Sequence, residues 1–229
     1  MKLALFDFDG TLTNKDMFTK FIFFSATPVR LLLGIIFMSP LYLLYKMGVI
    51  PARKLRPFVS YCAFAGRDKQ EVERLGVEYA TKIIPRYLRP EMQHTLKQHQ
   101  AEGTSIVVVS ASLDLYLKPW CQIMGLELIC SEMATKQIAK QEQMQALNQE
   151  LKQELKQELK QELNQELKNS RYTGFYVAGD CSCEVKASKV SERFNLTDYS
   201  CIYAYGDTKE DLAMLAIADK AYMQGVRQY

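Results

Sequence analysis

The sequence predicts an α/β fold: a Rossmann-like parallel sheet flanked by helices, with a helical cap inserted after the first strand. Short apolar runs at Leu3–Phe6, Thr104–Ser110 and Cys201–Tyr205 lead directly into polar residues or glycine, as buried strands do. Helical patterns fill the intervals between these runs, and the first interval is too long for a simple crossover. A chain of 229 residues suits one such domain with an insertion.

The composition indicates a globular, cytoplasmic protein. The net charge of +3 is mildly basic and does not call for nucleic acid as a partner. The six cysteines show no CxxC spacing, so reduced core thiols are expected; Cys181 and Cys183, in a CxC arrangement, leave a metal or redox pair as an alternative. Asp7 and Asp9 interrupt the first apolar run, so no signal peptide is expected. The location is expected to be cytoplasmic, with peripheral contact to the inner membrane as an alternative.

The first strand ends at two carboxylates, Asp7 and Asp9. Residues two apart share one face of a strand, and where the strand opens into a loop both side chains can turn to one site. Two carboxylates this close repel each other unless a cation or a proton intervenes. Mg²⁺ prefers oxygen ligands of this kind, so the pair indicates a metal site. The alternative is a strand followed by an acidic turn.

The long first interval predicts the domain organisation. Residues 15–100 are expected to form the helical cap, and residues 1–14 and 101–229 the core domain. Within the cap, Leu31–Tyr45 has no charged residue, but this run is shorter than the roughly 20 residues of a spanning helix and contains Gly34 and Pro40. A transmembrane helix is therefore not expected.

Two interpretations of the apolar cap remain open. Its helices are either buried within the cap, or they form a surface that touches a bilayer or binds an apolar substrate. In the second case basic residues would face lipid phosphates: Arg30, Lys46, Arg53, Lys54 and Arg56.

Polar residues also follow the other two strands. Ser110 ends the second run, at the place where open α/β sheets bind ligands, with Ser112 as the alternative. Asp207 and Asp211 follow the Cys201–Tyr205 run. Asp207 could bind Mg²⁺ directly, and Asp211 could hold a metal-bound water. The same residues are also compatible with a capped helix that has acids in its first turn.

Residues 137–168 differ from the rest of the chain. From Leu147 they repeat a four-residue unit, LNQE or LKQE, whose residue types all favour helix. Four residues turn a helix by about 400°, so each leucine is rotated about 40° from the previous one and no apolar seam forms. A solvated helical insertion in the core is therefore expected, with self-association through the leucines as the alternative.

The motifs resemble those of the haloacid dehalogenase (HAD) superfamily, in particular its phosphoserine-phosphatase-like branch. Four residues match the first motif, DxDGT or DxDGS, in full: Asp7, Asp9, Gly10 and Thr11. Ser110 fits the second motif, and Asp207 and Asp211 fit the fourth, GDxxxD. Lys186 best matches the lysine of the third motif, with Lys189 as the fallback.

This resemblance implies a Mg²⁺-dependent phosphomonoester hydrolase. Asp7 would attack phosphorus to form an aspartyl-phosphate, and Asp9 would act as general acid and then general base. The implied metal ligands are Asp7, the Asp9 carbonyl and Asp207, with Asp211 acting through water. The implied phosphate-binding groups are the Gly10 and Thr11 amides, Ser110 and Lys186.

The resemblance also bears on the hairpin and the substrate. In this branch a hairpin follows the third strand, and residues 129–133 and 171–177 resemble its two sides, with the repeat between them.

Phosphoserine phosphatases bind the amino acid through an acidic residue and through an arginine of the cap. In this sequence Asp16 lies near the position of the acid, and Phe58 occupies the position of the arginine. This departure argues against phosphoserine.

The resemblance leaves two candidate substrate classes. One is a small-molecule phosphomonoester, and the other is a lipid phosphate, because phosphatidylglycerophosphatase C looks like this branch with an apolar cap. A low-turnover phosphate-binding or interaction protein is the remaining alternative, and the intact motif set argues against it.

Overall fold

The computed structural model describes residues 1–136 and 170–228, which separate into two compact units. The first unit comprises Met1–Phe24, Gly76–Glu132 and Ala178–Tyr229, and the second comprises Ser25–Leu75 and Met133–Val177. The domain bounds predicted from the sequence differ from these and stay predictions. The predicted helical insertion, 137–168, lies outside the described residues.

The elements of the described residues are as follows in chain order. The strands are β1 (Lys2–Phe6), β2 (Ser105–Leu113), β3 (Glu127–Ser131), β4 (Met133–Thr135), β5 (Tyr172–Tyr176), β6 (Cys201–Gly206), β7 (Lys220–Met223) and β8 (Val226–Arg227). The α-helices are α1 (Met17–Ser25), α2 (Pro28–Lys46), α3 (Ala52–Phe64), α4 (Lys69–Lys82), α5 (Pro90–Ala101), α6 (Asp114–Met124), α7 (Glu184–Arg193) and α8 (Leu212–Ala216).

Six strands of the first unit form one sheet in the order β3-β2-β1-β6-β7-β8. All neighbouring pairs are parallel except β7 and β8, which are antiparallel. The predicted α/β fold, with a parallel sheet flanked by helices, is therefore confirmed. Because β1 lies between β2 and β6, the polar residues that follow these three strands lie at the same edge of the sheet.

Both faces of this sheet are apolar, as expected for parallel strands covered by helices. On one face, Leu3 and Leu5 of β1 belong to a core cluster with Val190 of α7 and Met214 of α8. On the other face, the Phe6 ring stacks on Tyr205 with the ring centroids 4.5 Å apart. The buried His99 of α5 lies 2.9 Å from the Tyr205 hydroxyl through its Nε2 atom, and burial lowers the pKa of His99 below its usual value. The aromatic contacts thus fix α5 against this face.

Two predicted strand positions needed correction. The second strand was expected to end at Ser110, but β2 continues to Leu113, and its pairing with β3 shifts between Val109 and Leu113. The Ser131 hydroxyl donates to the Ala111 carbonyl oxygen at 2.9 Å. This carbonyl thus has a hydrogen-bond partner where the strand pairing is irregular. The first side of the hairpin, predicted at residues 129–133, is β4 (Met133–Thr135), because residues 129–131 belong to β3.

The second unit contains α2, α3 and the antiparallel β4–β5 hairpin. Arg30 of α2 donates to the carbonyl oxygens of Cys62 and Ala65, at 3.0 and 2.8 Å, and so joins the start of α2 to the end of α3. The opposite side of α3 meets β5, where the Ser60 and Tyr176 hydroxyls lie 2.9 Å apart. At the open end of the hairpin, the Lys136 amide donates to the Arg171 carbonyl oxygen at 3.0 Å.

The exposure of α2 contradicts one of the two interpretations of the apolar stretch, and the other stays a prediction. None of the residues of α2 is buried, so the expectation that the helix is buried within the cap is wrong. Among the described helices, α2 is the one that is long and apolar enough to cross a membrane. Length and composition alone do not distinguish crossing a membrane from lying on one.

The close approach of α4 to α6 gives a prediction for stability. A Cβ built on Gly76 would lie 2.8 Å from the Leu115 carbonyl carbon and would overlap its oxygen. We expect Gly76→Ala to lower the free energy of unfolding by about 1–3 kcal/mol, because the backbone has to move apart. Urea unfolding measures this change.

Gly34→Ala is the matched control, since Gly34 also lies in a helix but the nearest atom to its added Cβ is 3.8 Å away. There the helix propensity of alanine should raise stability by up to about 1 kcal/mol. Equal losses for the two substitutions would contradict the proposed clash.

Candidate active site

The first unit brings the carboxyl ends of β1, β2 and β6 together. Phe6 of β1 is paired with Val108 of β2 and with Tyr205 of β6. The Asp7 amide continues the β1–β6 pairing by donating to the Tyr205 carbonyl oxygen at 2.9 Å. Asp7 is therefore fixed at the edge of the sheet, beside the loop that carries Asp207.

The loop after Asp7 depends on glycine. Gly10 has a φ of 81°, which side-chain-bearing residues rarely adopt, and a Cβ at this position would overlap the Asp207 carboxylate. The Arg89 guanidinium donates through Nε to the Gly10 carbonyl oxygen at 3.0 Å, and the Thr13 hydroxyl donates to the Phe8 carbonyl oxygen at 3.1 Å. These contacts hold the loop close to Asp207, so its backbone amides stay next to the acidic residues.

Lys186 is the one buried cation among the acidic residues described at this edge. Its ammonium lies 2.5 Å from Asp7 Oδ1 and 2.6 Å from Asp211 Oδ1, and only 2 % of its side chain is exposed. Burial by itself disfavours the ammonium, but the Asp7 and Asp211 carboxylates outweigh burial and hold the pKa of Lys186 above its usual value. Lys186 is therefore charged and joins the start of α7 to β1.

Asp211 has partners at both carboxylate oxygens. While Oδ1 pairs with Lys186, Oδ2 accepts from the amides of Asp207 and Thr208, both at 3.1 Å. The Thr208 side chain completes a capping box with Asp211. Since Asp211 is nearly fully buried, it fixes the Asp207 loop and positions Lys186 at the same time. Asp207 and Asp211 can therefore belong to a capped helix and to a metal site at the same time.

The acidic residues form a cluster suited to a cation. Carboxylate oxygens of Asp7, Asp207 and Asp211 lie within 4.8 Å of one another. Burial raises the pKa of Asp7 to about 7, with Lys186 opposing and Asp211 adding to the rise, and burial together with Asp211 raises the pKa of Asp207 to about 6. Three carboxylates near one ammonium carry excess negative charge, and a hard divalent cation would relieve it. This donor set therefore fits Mg²⁺.

Asp9 faces a different part of the loop. Its Oδ1 atom accepts from the Met17 amide at 2.5 Å, at the start of α1, and its Oδ2 atom accepts from the Ser112 hydroxyl. From the sequence, Ser112 was predicted only as the alternative to Ser110 at the ligand-binding position. No sequence pattern indicated its contact with Asp9. The two bonds orient the Asp9 carboxylate beside the end of β2.

Two buried hydroxyls lie near the same strand ends. The Ser110 oxygen accepts from the Ser112 amide at 3.1 Å, and Ser110 is almost fully buried. The buried Thr11 Oγ1 atom has no hydrogen-bond partner within the described ranges. A buried hydroxyl without a partner is costly, and an anion at this edge would satisfy it.

The structure thus brings most of the predicted site residues together. Asp7, Asp207, Asp211 and Lys186 are in contact or within a few ångströms, and Gly10 lies against Asp207. The fallback, Lys189, instead donates to the Cys130 carbonyl oxygen at 3.3 Å. Arg89, which holds the Gly10 carbonyl, was not singled out from the sequence, because no local pattern links residues so far apart.

The paired carboxylates give a prediction for the role of Lys186 in stability. Removing one partner of a buried ion pair leaves the other charge uncompensated, so Lys186→Met should lower the free energy of unfolding by about 3 kcal/mol or more in buffer without divalent cations. The matched control Lys189→Met removes one hydrogen bond to a carbonyl and should cost about 1 kcal/mol. Urea unfolding measures the loss of free energy of unfolding in both variants. Similar losses for Lys186→Met and Lys189→Met would contradict the proposed role of Lys186.

The chain is similar to known proteins along most of its length. The protein CicA of Caulobacter vibrioides is 28 % identical over 222 residues, covering 95 % of this chain and 83 % of that protein. A histidinol-phosphatase of Neisseria meningitidis serogroup C is 21 % identical over 232 residues, covering 95 % and 87 %. The crystal structure of a phosphoserine phosphohydrolase-like protein from Francisella tularensis has a TM-score of 0.56 at 18 % identity, covering 99 % of this chain and 89 % of that one.

The family itself is identified by a match over residues 4–149 to the model of the haloacid dehalogenase-like hydrolases. This range is more than half of the chain and includes the DFDGT motif at Asp7–Thr11. The chain belongs to the haloacid dehalogenase-like hydrolases.

Proposed function

We propose that this hydrolase is a Mg²⁺-dependent phosphatase that acts on phosphomonoesters through a covalent phosphate on Asp7. The observation that carries the proposal is the position of the Asp7 carboxylate, at the tip of a central strand, paired with Lys186 and close to Asp207. A carboxylate in this position is both a nucleophile and a metal ligand, while the ammonium offsets charge on a transferring phosphoryl group.

The reaction has two chemical steps. In the first, Asp7 attacks phosphorus, the bond from phosphorus to the leaving oxygen breaks, and protonated Asp9 gives its proton to that oxygen. In the second, Asp9 takes a proton from water, the hydroxide attacks phosphorus, and Asp7 is released as a carboxylate. The bonds from Met17 and Ser112 support the role of Asp9, because they hold its carboxylate at a fixed place.

The metal would be held by Asp7, Asp207 and the Asp9 carbonyl. Asp211, whose oxygens are already bonded to Lys186 and to the 207–208 amides, would act through water. The bound ion would offset the repulsion between the Asp7 carboxylate and an anionic phosphate. This assignment separates Asp207, as a direct ligand, from Asp211, as the residue that positions the loop.

The phosphate oxygens would be bound by groups around the loop after β1. The Gly10 and Thr11 amides, the Ser110 hydroxyl and Lys186 are the candidates from the motif. The buried Thr11 hydroxyl, which lacks a partner within the described ranges, supports a site for an anion here. Positioning and charge compensation are the main requirements of phosphoryl transfer, and these groups provide both.

The proposed substrate is a small-molecule phosphomonoester, and the enzyme is proposed to be cytoplasmic. A relative that is named a histidinol-phosphatase supports a small-molecule substrate. A lipid phosphate is the second candidate, favoured by the exposed apolar helix α2. A low-turnover phosphate-binding protein would not need the nucleophile, the acid and the buried lysine together, so this alternative is less well supported.

Replacing the nucleophile tests the proposed function. Asp7→Asn should lower the hydrolysis of an aryl phosphate in the presence of Mg²⁺ by about a thousandfold or more, because an amide cannot form the covalent intermediate. The fold should be retained, since asparagine has nearly the same shape as aspartate and the Lys186 ammonium keeps its second partner, the Asp211 carboxylate. Steady-state kinetics and circular dichroism measure the two effects.

Asp198→Asn is the matched control, because it makes the same change at an exposed acid on the 196–198 helical turn and should leave turnover unchanged. Removing Mg²⁺ with a chelator should abolish turnover of the parent protein, and adding it back should restore turnover. A folded Asp7→Asn variant with parent-like activity would exclude Asp7 as nucleophile.

A further inference from the structure

Helix α2 exposes an apolar surface that no other described part of the chain covers. Residues at helical spacing, namely Leu31, Gly34, Met38 and Leu41, are half-buried and form the stripe that faces α3. Away from this stripe, Leu32, Ile36 and Phe37 are 61 %, 57 % and 65 % exposed. A helix that is apolar on all sides is normally buried in protein or in lipid.

The charge around α2 is of one sign. Between Asp16 and Asp68 the sequence contains seven lysines and arginines and neither aspartate nor glutamate. Lys46 ends α2, and Arg53 and Lys54 follow in the first turn of α3, all three exposed. An exposed apolar surface bordered by cations alone is complementary to a surface that is apolar inside and anionic outside.

We propose that α2 and the start of α3 form a docking surface for an anionic phospholipid bilayer. The free sides of α2 enter the boundary between headgroups and acyl chains, to a depth of about 5–10 Å, while Lys46, Arg53 and Lys54 contact lipid phosphates. The inference goes beyond the proposed phosphatase activity and does not depend on it, because it rests on residues of the second unit alone.

The neighbours of α2 favour lying on the bilayer over crossing it. The contacts of Arg30 with the Cys62 and Ala65 carbonyls hold α2 alongside α3, whose other side is covered by β5. Immersing this pair in hydrocarbon would carry Arg53 and Lys54 with it, which is costly. The axis of α2, about 28 Å long from its 19 residues, therefore lies along the surface.

The charge pattern also disfavours a second copy of this chain as the occupant. In a two-fold symmetric dimer the same patch is present on both subunits. Pairing two such patches would bring Lys46, Arg53 and Lys54 of both chains to one interface, and neither patch contributes an acid, since residues 17–67 contain none. An anionic bilayer meets no such repulsion.

Vesicle flotation of the full chain tests the proposal. The protein should bind vesicles of about three parts phosphatidylcholine to one part phosphatidylglycerol, bind much less to phosphatidylcholine alone, and lose binding as salt is raised. Failure of the folded protein to bind the anionic vesicles would overturn the proposal.

Paired variants identify the surface. Ile36→Asp should weaken vesicle binding by about tenfold or more, because it places a charge in the apolar boundary. Ile123→Asp, the same change at a 62 % exposed isoleucine of α6, should have no effect. Replacing both Arg53 and Lys54 by Gln should weaken binding to anionic vesicles by about tenfold to thirtyfold. The double change Lys97→Gln and Lys118→Gln, at exposed lysines elsewhere, should not.

Two further readouts separate this proposal from its alternatives. Ile36→Asp should keep the parent turnover of a soluble aryl phosphate, and Asp7→Asn should keep vesicle binding, so that failure of one proposal is not failure of the other. Sedimentation should show the same oligomeric state for the parent protein and Ile36→Asp. Parent-like vesicle binding by Ile36→Asp, or a dimer that this variant dissociates, would overturn the proposal.

Discussion

The ammonium of Lys186, placed between the carboxylates of Asp7 and Asp211, is the interaction on which the rest of the first unit depends. It joins the end of β1, the start of α7 and the turn after β6, which are far apart in the sequence. Buried ion pairs contribute little net stability, because desolvation offsets their attraction, yet losing one partner is costly. Such an arrangement therefore specifies a geometry rather than stabilising the fold in general.

Asp211 connects that geometry to the loop that carries Asp207. One of its oxygens holds Lys186 and the other holds the 207–208 backbone, so the lysine and the Asp207 loop cannot shift independently. The close approach of Gly10 to Asp207 adds a third constraint, because any side chain there would push the acid away. The proposed nucleophile Asp7, the Lys186 ammonium and the proposed metal ligand Asp207 are thus placed by one connected set of contacts. Burial raises the pKa values of Asp7 and Asp207 in this region.

The sequence predicted those parts of the site that follow from strand order. Asp7 and Asp207 follow apolar runs, and the ends of adjacent parallel strands meet, so their proximity needed no further information. Lys186 has no such local signal, and only the resemblance to a family located it. The contacts of Ser112 with Asp9 and of Arg89 with the Gly10 carbonyl could not be predicted, because they depend on how distant segments pack. Likewise, the apolar character of α2 was visible in the sequence, whereas its exposure depends on which distant segments pack against it.

The β4–β5 hairpin has a consequence for the architecture of the chain. Thr135 is paired with Tyr172, and the next backbone bond joins Lys136 to Arg171, so these two residues, 35 positions apart in the sequence, lie side by side. A segment that starts and ends at adjacent positions can change in length without displacing the residues on either side, and the entropic cost of a longer loop grows only slowly. This position is therefore a natural junction for grafting a reporter domain whose own termini are close together.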